Sequence, residues 1–600
     1  MSSIAHEDAQ SDGDDWDEIE EGVPQMTDPF MQKYIQGRDA LISQEKKLRS
    51  DNAFRQSLSP AAAEACAIVS RIRAEERRTV WTGAFEESLI TQEKADVFPG
   101  MMFTLAKDRM QQTRLWKIVE KLPKGSLLHA HLCAMIELDW LFELALSIDG
   151  MCISSMTPLT SKADLEMGEV AFQFAKTTNA NTRTAGDPDT NAAIWTSDYT
   201  PGTLVPLVAA ADSFPDGGRA GFLSWLKDRC TITAEESLKH HHGLNAIWRK
   251  FISTFAILKS LLFYEPIFRQ AIRKMCHQLL SDGVRWVDLR EVFMFEYRKE
   301  GSEAPLEEFE GYAEMIRVMG EEVEKFKATE EGKGFWGARM IWTTLRHLDR
   351  RSVIENMNYC IEAKLMYPEL IAGYDLVGQE DMGRTLKDLT PELFWFRKSC
   401  AEEGVEIPFF FHAGECLGDG SETDHNLFDA ILLGTRRLGH AYSLYKHPLL
   451  IDMVKEKKIL VESCPISNEV LRLTGSICSH TLPALLARGV PASLCNDDPA
   501  ILGQGTSGTT HEFWQCLQAW DNLGLEGLAA LAENSVRWSP FEDESAADWV
   551  KGIKDGTFGK GLRAARLKEW NIEWERFCQW VVEEYGDDAE GAEGGDDAEA

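Results

Sequence analysis

The chain has 600 residues, 44% of them hydrophobic, which is enough for a large soluble core and too long for one minimal domain. Its formal net charge of −34 repels nucleic acid and anionic membranes, whose partners need lysine- and arginine-rich surfaces, and leaves a neutral or cationic small molecule as the compatible substrate. The 13 cysteines lack zinc-finger or disulfide-framework spacing, and the most apolar run, Phe251 to Phe268, is broken by Lys259 and Glu265, so it reads as a buried helix and not a membrane span.

In chain order, residues 1–27 are acidic and polar and are predicted to be disordered. They lack the apolar core of a secretory signal, which together with thiols expected to be reduced points to the cytoplasm. Residues 28–119 carry helical periodicity and no chemical motif, and are read as an accessory helical region for self-association. Ser126 to Leu132 is a short apolar strand in which His129 and His131 point to the same face. Residues 150–236, rich in Thr, Asn, Asp, Gly and Pro, read as an insertion or lid after that strand, and His240 to His242 as solvated. From Gly243 onward helices alternate with short strands at Val284–Phe293, Ala338–Arg346, Leu370–Gly378, Pro408–Glu415, Arg436–Tyr442, Lys458–Pro465 and Val490–Asp498. With the first strand this makes eight, the pattern of an α/β chain forming a (β/α)8 TIM barrel over residues 120–585, with an N-terminal helical domain and an insertion after the first barrel strand. The helix Leu562 to Tyr585 turns Trp570, Trp574 and Trp580 to the core, and the acidic tail 586–600 is predicted to be disordered.

Active sites of such barrels lie at the C-terminal ends of the strands. Those ends carry His129 and His131, then Phe411-His412-Ala-Gly-Glu415, then Gly439-His440, then Cys495-Asn-Asp-Asp-Pro499. Three imidazoles and one carboxylate (His129, His131, His412 and one aspartate of Asp497–Asp498) make a ligand set for Zn2+ with room for water. Glu415 suits a general acid/base beside the metal, His440 could orient or deprotonate the water, and the second aspartate could accept a hydrogen bond. This is machinery for hydrolytic attack on a planar electrophilic carbon. Arg346 is either a substrate contact or a structural ion pair, Gly503 to Gly508 lacks the lysine of a phosphate loop, and Cys464 reads as a buried thiol.

The segments Pro123-Lys-Gly-Ser-Leu-Leu-His-Ala-His131, Trp248-Arg-Lys-Phe251, Gly373-Tyr-Asp-Leu-Val-Gly-Gln-Glu-Asp381, His412-Ala-Gly-Glu415, Leu438-Gly-His440, Cys464-Pro-Ile-Ser-Asn468 and Asn496-Asp-Asp-Pro499 follow one another in a familiar order. On them the chain resembles the adenosine deaminase superfamily, and within it the adenosine-deaminase-related growth factor branch, as an intracellular member. The resemblance implies zinc on His129, His131, His412 and Asp497, with Glu415 protonating purine N1 and His440 and Asp498 positioning the hydroxide that attacks C6 as ammonia leaves. It implies substrate contacts from Trp248, the backbone of Gly378 and Asp498, and a homodimer joined through the N-terminal helices. The implied reaction is hydrolytic deamination of adenosine and 2′-deoxyadenosine to inosine and 2′-deoxyinosine. No Pro-Cys-x-x-Cys element of the cysteine-ligated zinc deaminases is present. One departure stands out: relatives carry Asp after His-x-His, directly or after a Leu, where it binds a ribose hydroxyl, and here Leu132 is followed by Cys133. A thiol at that substrate-facing position hydrogen-bonds poorly, which predicts tolerance at the sugar. It also keeps open an aminohydrolase for another 6-aminopurine, such as a 5′-modified adenosine or adenine, beside a catalytically retired binding protein on the same scaffold.

Overall fold

The computed structural model describes residues 22–81, 103–176 and 194–586. Most of the two acidic termini predicted to be disordered, and residues 177–193 of the predicted insertion, lie outside the described residues. The strands in chain order are β1 (Gly125–His131), β2 (Met151–Ser155), β3 (Val170–Phe174), β4 (Val205–Pro206), β5 (Val284–Val292), β6 (Gly337–Leu345), β7 (Ile371–Val377), β8 (His412–Ala413), β9 (Arg437–His440), β10 (Leu460–Ser463) and β11 (Ala492–Leu494).

Eight of them close a parallel barrel. One sheet runs β1-β5-β6-β7 and the other β8-β9-β10-β11, every pairing being parallel. Parallel bridges between Tyr374 and Phe409 and between Ala130 and Asp497 join the sheets at both seams. β6 and β7 are buried along nearly their whole length. Strands covered by helices outside and by side chains inside read as continuous apolar runs, which is why they were visible as such in the sequence. The predicted strand Pro408–Glu415 keeps a regular ladder only at His412–Ala413. Pro408 has no N–H to offer, yet its carbonyl accepts from Tyr374 N at 2.9 Å, and Phe410 N donates to Tyr374 O at 3.0 Å.

The barrel interior is charged as well as apolar. Arg290 on β5 donates to Asp375 Oδ2 of β7 at 2.8 Å and to Glu462 Oε2 of β10 at 2.7 Å, and all three are fully buried. Arg437 on β9 bonds the same Glu462 and reaches Asp288 Oδ2 at 2.8 Å. A carboxylate buried beside two guanidiniums stays charged because each partner offsets the other's desolvation, and removing one costs about 3–5 kcal/mol. The network pins four strands in register and, through Asp375 and Glu462, reaches the histidines at the barrel mouth.

The predicted insertion holds a three-stranded antiparallel sheet in the order β3-β2-β4. The weak periodicity of this insertion does not announce these strands, which are only 5, 5 and 2 residues long. In the N-terminal region, Ser59 caps the helix Pro60–Thr79 by accepting from Ala62 N at 3.1 Å. That helix buries Ala62, Ala65, Ile68, Val69 and Ile72 and packs against the C-terminal helix Leu562–Tyr585. There Trp570 and Trp574 are buried, with the Phe54 ring at 6.2 and 5.9 Å from theirs, while Trp580 is half-buried. The first helix, Pro29–Lys46, buries no residue against the rest of the described chain. Among the described residues no helix is long and apolar enough to cross a membrane.

Candidate metal and catalytic centre

β1 delivers His129 and His131 to the C-terminal mouth of the barrel, β8 delivers His412, and the turn after β11 delivers Asp497. The ligand-type atoms of these four all lie within 4.8 Å of one another. Asp497 adopts a φ of +60°, a left-handed conformation that costs a non-glycine residue energy. It is held there by β1, whose His129 O accepts from Asp497 N at 3.1 Å and whose His131 N donates to Asp497 O at 3.0 Å. The resulting carboxylate stands with Oδ1 3.3 Å from His129 Nε2 and 3.2 Å from His131 Nε2, while Ser467 Oγ donates to its Oδ2 at 2.7 Å.

Carboxylates behind the rings decide which nitrogen faces inward. His129 Nδ1 lies 2.8 Å from Glu462 Oε2, and His412 Nδ1 lies 2.6 Å from Asp375 Oδ2. Burial alone would raise both carboxyl pKa values. The His412 ring and Arg290 instead hold Asp375, and Arg290 and Arg437 hold Glu462, well below the usual range, so both are ionised. An ionised carboxylate can only accept, so each ring carries its proton on Nδ1 and turns the lone pair of Nε2 to the centre. Burial, with His129 and Arg290 nearby, lowers the pKa of His412 to about 4, and the ring is neutral. His129 Nε2 is buried without a hydrogen-bond partner among the described residues. An orphaned, inward-facing imidazole nitrogen among two more imidazoles and a carboxylate fits a divalent metal ion.

Three further groups face the same centre. Glu415 follows β8 and is held by Glu380, whose carboxylate accepts from Gly414 N at 3.1 Å, Glu415 N at 2.6 Å and Asn426 Nδ2 at 2.7 Å. Burial, then the negative charge of Asp497 and Glu380, pushes the Glu415 carboxyl well above its usual pKa, so it carries a proton. The adjacent aspartates are driven apart: Asp497 is held low by the histidines against the effect of burial, and Asp498 is raised by burial and by Asp497. Asp498 is buried with neither oxygen hydrogen-bonded among the described residues. His440, also at a left-handed φ of +60°, has Nε2 3.6 Å from Glu415 Oε1 and 3.7 Å from Asp497 Oδ2. Its tautomer follows from a chain of bonds. Leu482 N donates to His480 Nδ1 at 3.1 Å, so His480 donates from Nε2 to Asn468 Oδ1 at 2.9 Å. Asn468 Nδ2 then donates to His440 Nδ1 at 3.3 Å, which leaves the His440 proton on Nε2, facing the centre. Burial keeps this ring neutral.

A cavity of about 280 Å3 opens over the centre, lined by His131, Arg290, His412, Glu415, His440, Asp497 and Asp498 at its reactive end, by the charged pair Lys259 and Glu291, and by apolar residues elsewhere. Trp248 lines it from the helix Leu244–Leu262, and Gly378 lines it with a φ of +106°, a conformation open to glycine alone. Cys133 is not among its lining residues: the thiol is buried and donates to Glu291 Oε2 at 3.0 Å, and it is Glu291 that lines the cavity. Arg346 proves structural, donating to the carbonyls of Leu376 at 2.9 Å and His412 at 3.0 Å. His240 to His242 form an exposed turn. Asp375, Glu462, Glu380, Asn468, His480, Glu291 and Lys259 also belong to the site and are not singled out by strand ends or ligand spacing. For Asp375, Glu380 and Asn468 the signal is their place in the segments Gly373–Asp381 and Cys464–Asn468, which carry the family resemblance.

The adenosine deaminase family model matches residues 231–555. Adenosine deaminase 2 of Sus scrofa is 28% identical over 507 residues, 84% of this chain and 88% of that protein. The adenosine deaminase of Lutzomyia longipalpis is 29% identical over 476 residues, 78% of this chain and 80% of that protein. A solved adenine deaminase from Arthrobacter aurescens aligns over 73% of this chain and 100% of its own at a TM-score of 0.44 and 16% identity. The matched span holds His412, Glu415, His440, Asp497 and Asp498, and β1 brings His129 and His131 to them from outside it. With more than half of its length matched, the chain belongs to the adenosine deaminase family, and it is a hydrolase.

Proposed function

We propose that the protein is a zinc-dependent aminohydrolase converting adenosine and 2′-deoxyadenosine, with water, to inosine and 2′-deoxyinosine and ammonia. The observation that carries this reading is the convergence of His129, His131, His412 and Asp497 beneath a cavity into which a protonated Glu415 and an unpartnered Asp498 also face. These four residues would hold the zinc, which when bound supplies a nucleophile at neutral pH by lowering the pKa of water.

The chain's own residues account for the remaining work. Glu415, kept protonated, gives its proton to purine N1 and so withdraws electrons from C6. His440 donates its Nε2–H to the attacking oxygen and fixes the oxygen's position. Asp498, with free acceptor capacity, takes a hydrogen bond from the same water and aims its remaining lone pair at C6. Addition breaks the C6–N1 double bond. One proton of the water passes to the Glu415 carboxylate and restores it, the other passes to the amino group, which leaves as ammonia as the C6–O bond becomes a carbonyl, and N1 keeps the hydrogen it received from Glu415. Trp248 and the backbone of Gly378 hold the base.

The protein is also proposed to be a cytoplasmic homodimer acting on a small nucleoside and on neither nucleic acid nor membrane. The cytoplasmic location is supported by 12 buried free thiols. The proposed organisation keeps residues 28–119 as the helical accessory region, with its first helix Pro29–Lys46 serving self-association, and 120–585 as the barrel. The test is ammonia release from a panel of adenosine, 2′-deoxyadenosine, adenine and AMP, together with elemental analysis of protein purified without added metal. One zinc per chain and turnover of both nucleosides, abolished by chelation and restored by zinc, are expected. Ammonia from neither nucleoside would overturn the reading.

A further inference from the structure

Away from the reactive end, the walls of the cavity are apolar, formed by residues such as Trp248, Phe251, Phe255 and Met294, with one exception. Lys259, from the helix Leu244–Leu262, and Glu291, near the end of β5, both line it and form an ion pair at 2.9 Å. The pair is firmly placed. Lys259 Nζ also donates to Val292 O at 2.6 Å, and the Cys133 thiol donates to the second oxygen of Glu291 at 3.0 Å. Glu291 is also close enough to Asp498 to add to the raising of that carboxyl, after burial, Asp497 and Glu415.

The hydrogen-bond inventory of this pair is not used up. A carboxylate offers about four acceptor sites and an ammonium three donors. Glu291 spends two of its sites on Lys259 and Cys133, and Lys259 spends two of its donors on Glu291 and Val292. An acceptor and a donor therefore stand side by side in an apolar wall. A hydroxyl group, one donor with two lone pairs, matches that combination. A phosphate does not: the lysine and the arginine lining the cavity, Lys259 and Arg290, are already paired, Arg290 with Asp375 and Glu462, and Glu291 repels a dianion.

We propose that Glu291, fixed by Lys259 and Cys133, binds a hydroxyl of the substrate's ribose and makes the site selective for an unphosphorylated nucleoside. The proposal rests on the adenosine-deaminase reading of the same cavity. It gives β5 the duty expected of an aspartate after β1, where Leu132 and Cys133 stand. Cys133 then acts on the substrate only through Glu291, and the sugar tolerance expected from a thiol at that position does not arise.

The test compares kcat/KM for adenosine with that for its 2′-deoxy, 3′-deoxy and 5′-deoxy analogues, in wild type and in Glu291→Gln. A hydrogen bond to a charged acceptor sets an expected preference of roughly 10- to 150-fold against one of the three analogues in wild type. In Glu291→Gln that ratio should fall to within a few-fold of one, with zinc content unchanged. Lys259→Gln, which leaves the carboxylate but frees its orientation, should lower the same ratio and serves if Glu291→Gln does not fold. A wild-type enzyme that turns over all four nucleosides within three-fold overturns the proposal without any variant, as does a ratio that both substitutions leave intact. Failure of the wild type to release ammonia from adenosine is a different result and counts against the deaminase reading itself.

Discussion

At the residue scale, Glu415 carries the sharpest expectation. Its proton is held by burial among Asp497 and Glu380, so the amide of Glu415→Gln keeps the shape and loses the transferable proton. Zinc content and inhibitor binding should be retained while kcat falls ~10²–10⁴-fold; a variant within a few-fold of wild type would remove Glu415 from proton transfer. Asp375 offers a second test. Asp375→Asn removes the charge that orients His412 and pairs with Arg290. Metal affinity, measured by chelator competition, should fall 10–100-fold, and unchanged affinity would show that the ring is oriented by other contacts. The same substitution has a signed pH dependence. Because the folded state depresses the Asp375 pKa, the stability it contributes is fully present above the ordinary carboxyl pKa of about 4 and is lost as pH falls through the depressed value. The gap in urea stability between wild type and variant should therefore be complete at pH 7 and narrow only below about pH 4. The histidines proposed as ligands, and one aspartate of the Asp497–Asp498 pair, were legible in the sequence because they lie at the ends of apolar strands. Their supporting carboxylates were not, since the bond from His129 to Glu462 spans 333 residues, a distance no local pattern records.

At the scale of elements, the barrel could be read because its strands are short apolar runs spaced by helices, and the pattern fails only where burial is one-sided or brief. The sheet β3-β2-β4 is the instructive miss. Val170 and Phe172 are buried and Ala171 between them is exposed, a true alternation, but over five residues in polar surroundings it is too short to register. Close approach of strands gives a further prediction. Gly439 on β9 has no Cβ, and a methyl there would lie 3.0 Å from His129 Cε1, 3.3 Å from His129 Nδ1 and 3.3 Å from His412 Cα. Gly439→Ala should thus push on two of the proposed metal ligands at once. Overpacking of this kind costs about 1–3 kcal/mol. The expected outcome is a folded barrel with a lower Tm and reduced zinc occupancy, read by elemental analysis beside circular dichroism. Full zinc occupancy and an unchanged Tm would mean that the strands relax apart and that the glycine is not needed for the approach.

At the scale of the whole molecule, the N-terminal region divides in two, which its uniform helical periodicity did not reveal. The helix Pro60–Thr79 is part of the fold, packed on the helix that carries Trp570 and Trp574. The 18-residue helix Pro29–Lys46 buries nothing, and Phe30, Tyr34 and Leu41 remain 72%, 63% and 68% exposed. Positions 30, 34 and 41 recur at i, i+4 and i+11 and so share one face, and a methyl at Gly37 between them would meet none of the described residues within 4 Å. A stripe of large apolar side chains left open in this way is where the proposed homodimer would form, by one such helix lying on its copy. Deleting residues 1–46 should therefore give an active monomer, whereas a deletion through 119 would strip the cover from Trp570 and Trp574 and prevent folding. The charge of −34 per chain adds a direction: two copies repel, salt screens that repulsion over about 10 Å at 0.1 M, and the apolar contact is unaffected by screening, so raising the salt should favour the dimer. Sedimentation velocity at two salt concentrations on the full chain, the truncated chain and Phe30→Glu/Tyr34→Glu measures all of this. A dimer that survives both the truncation and the double substitution would move the interface to another surface of the barrel.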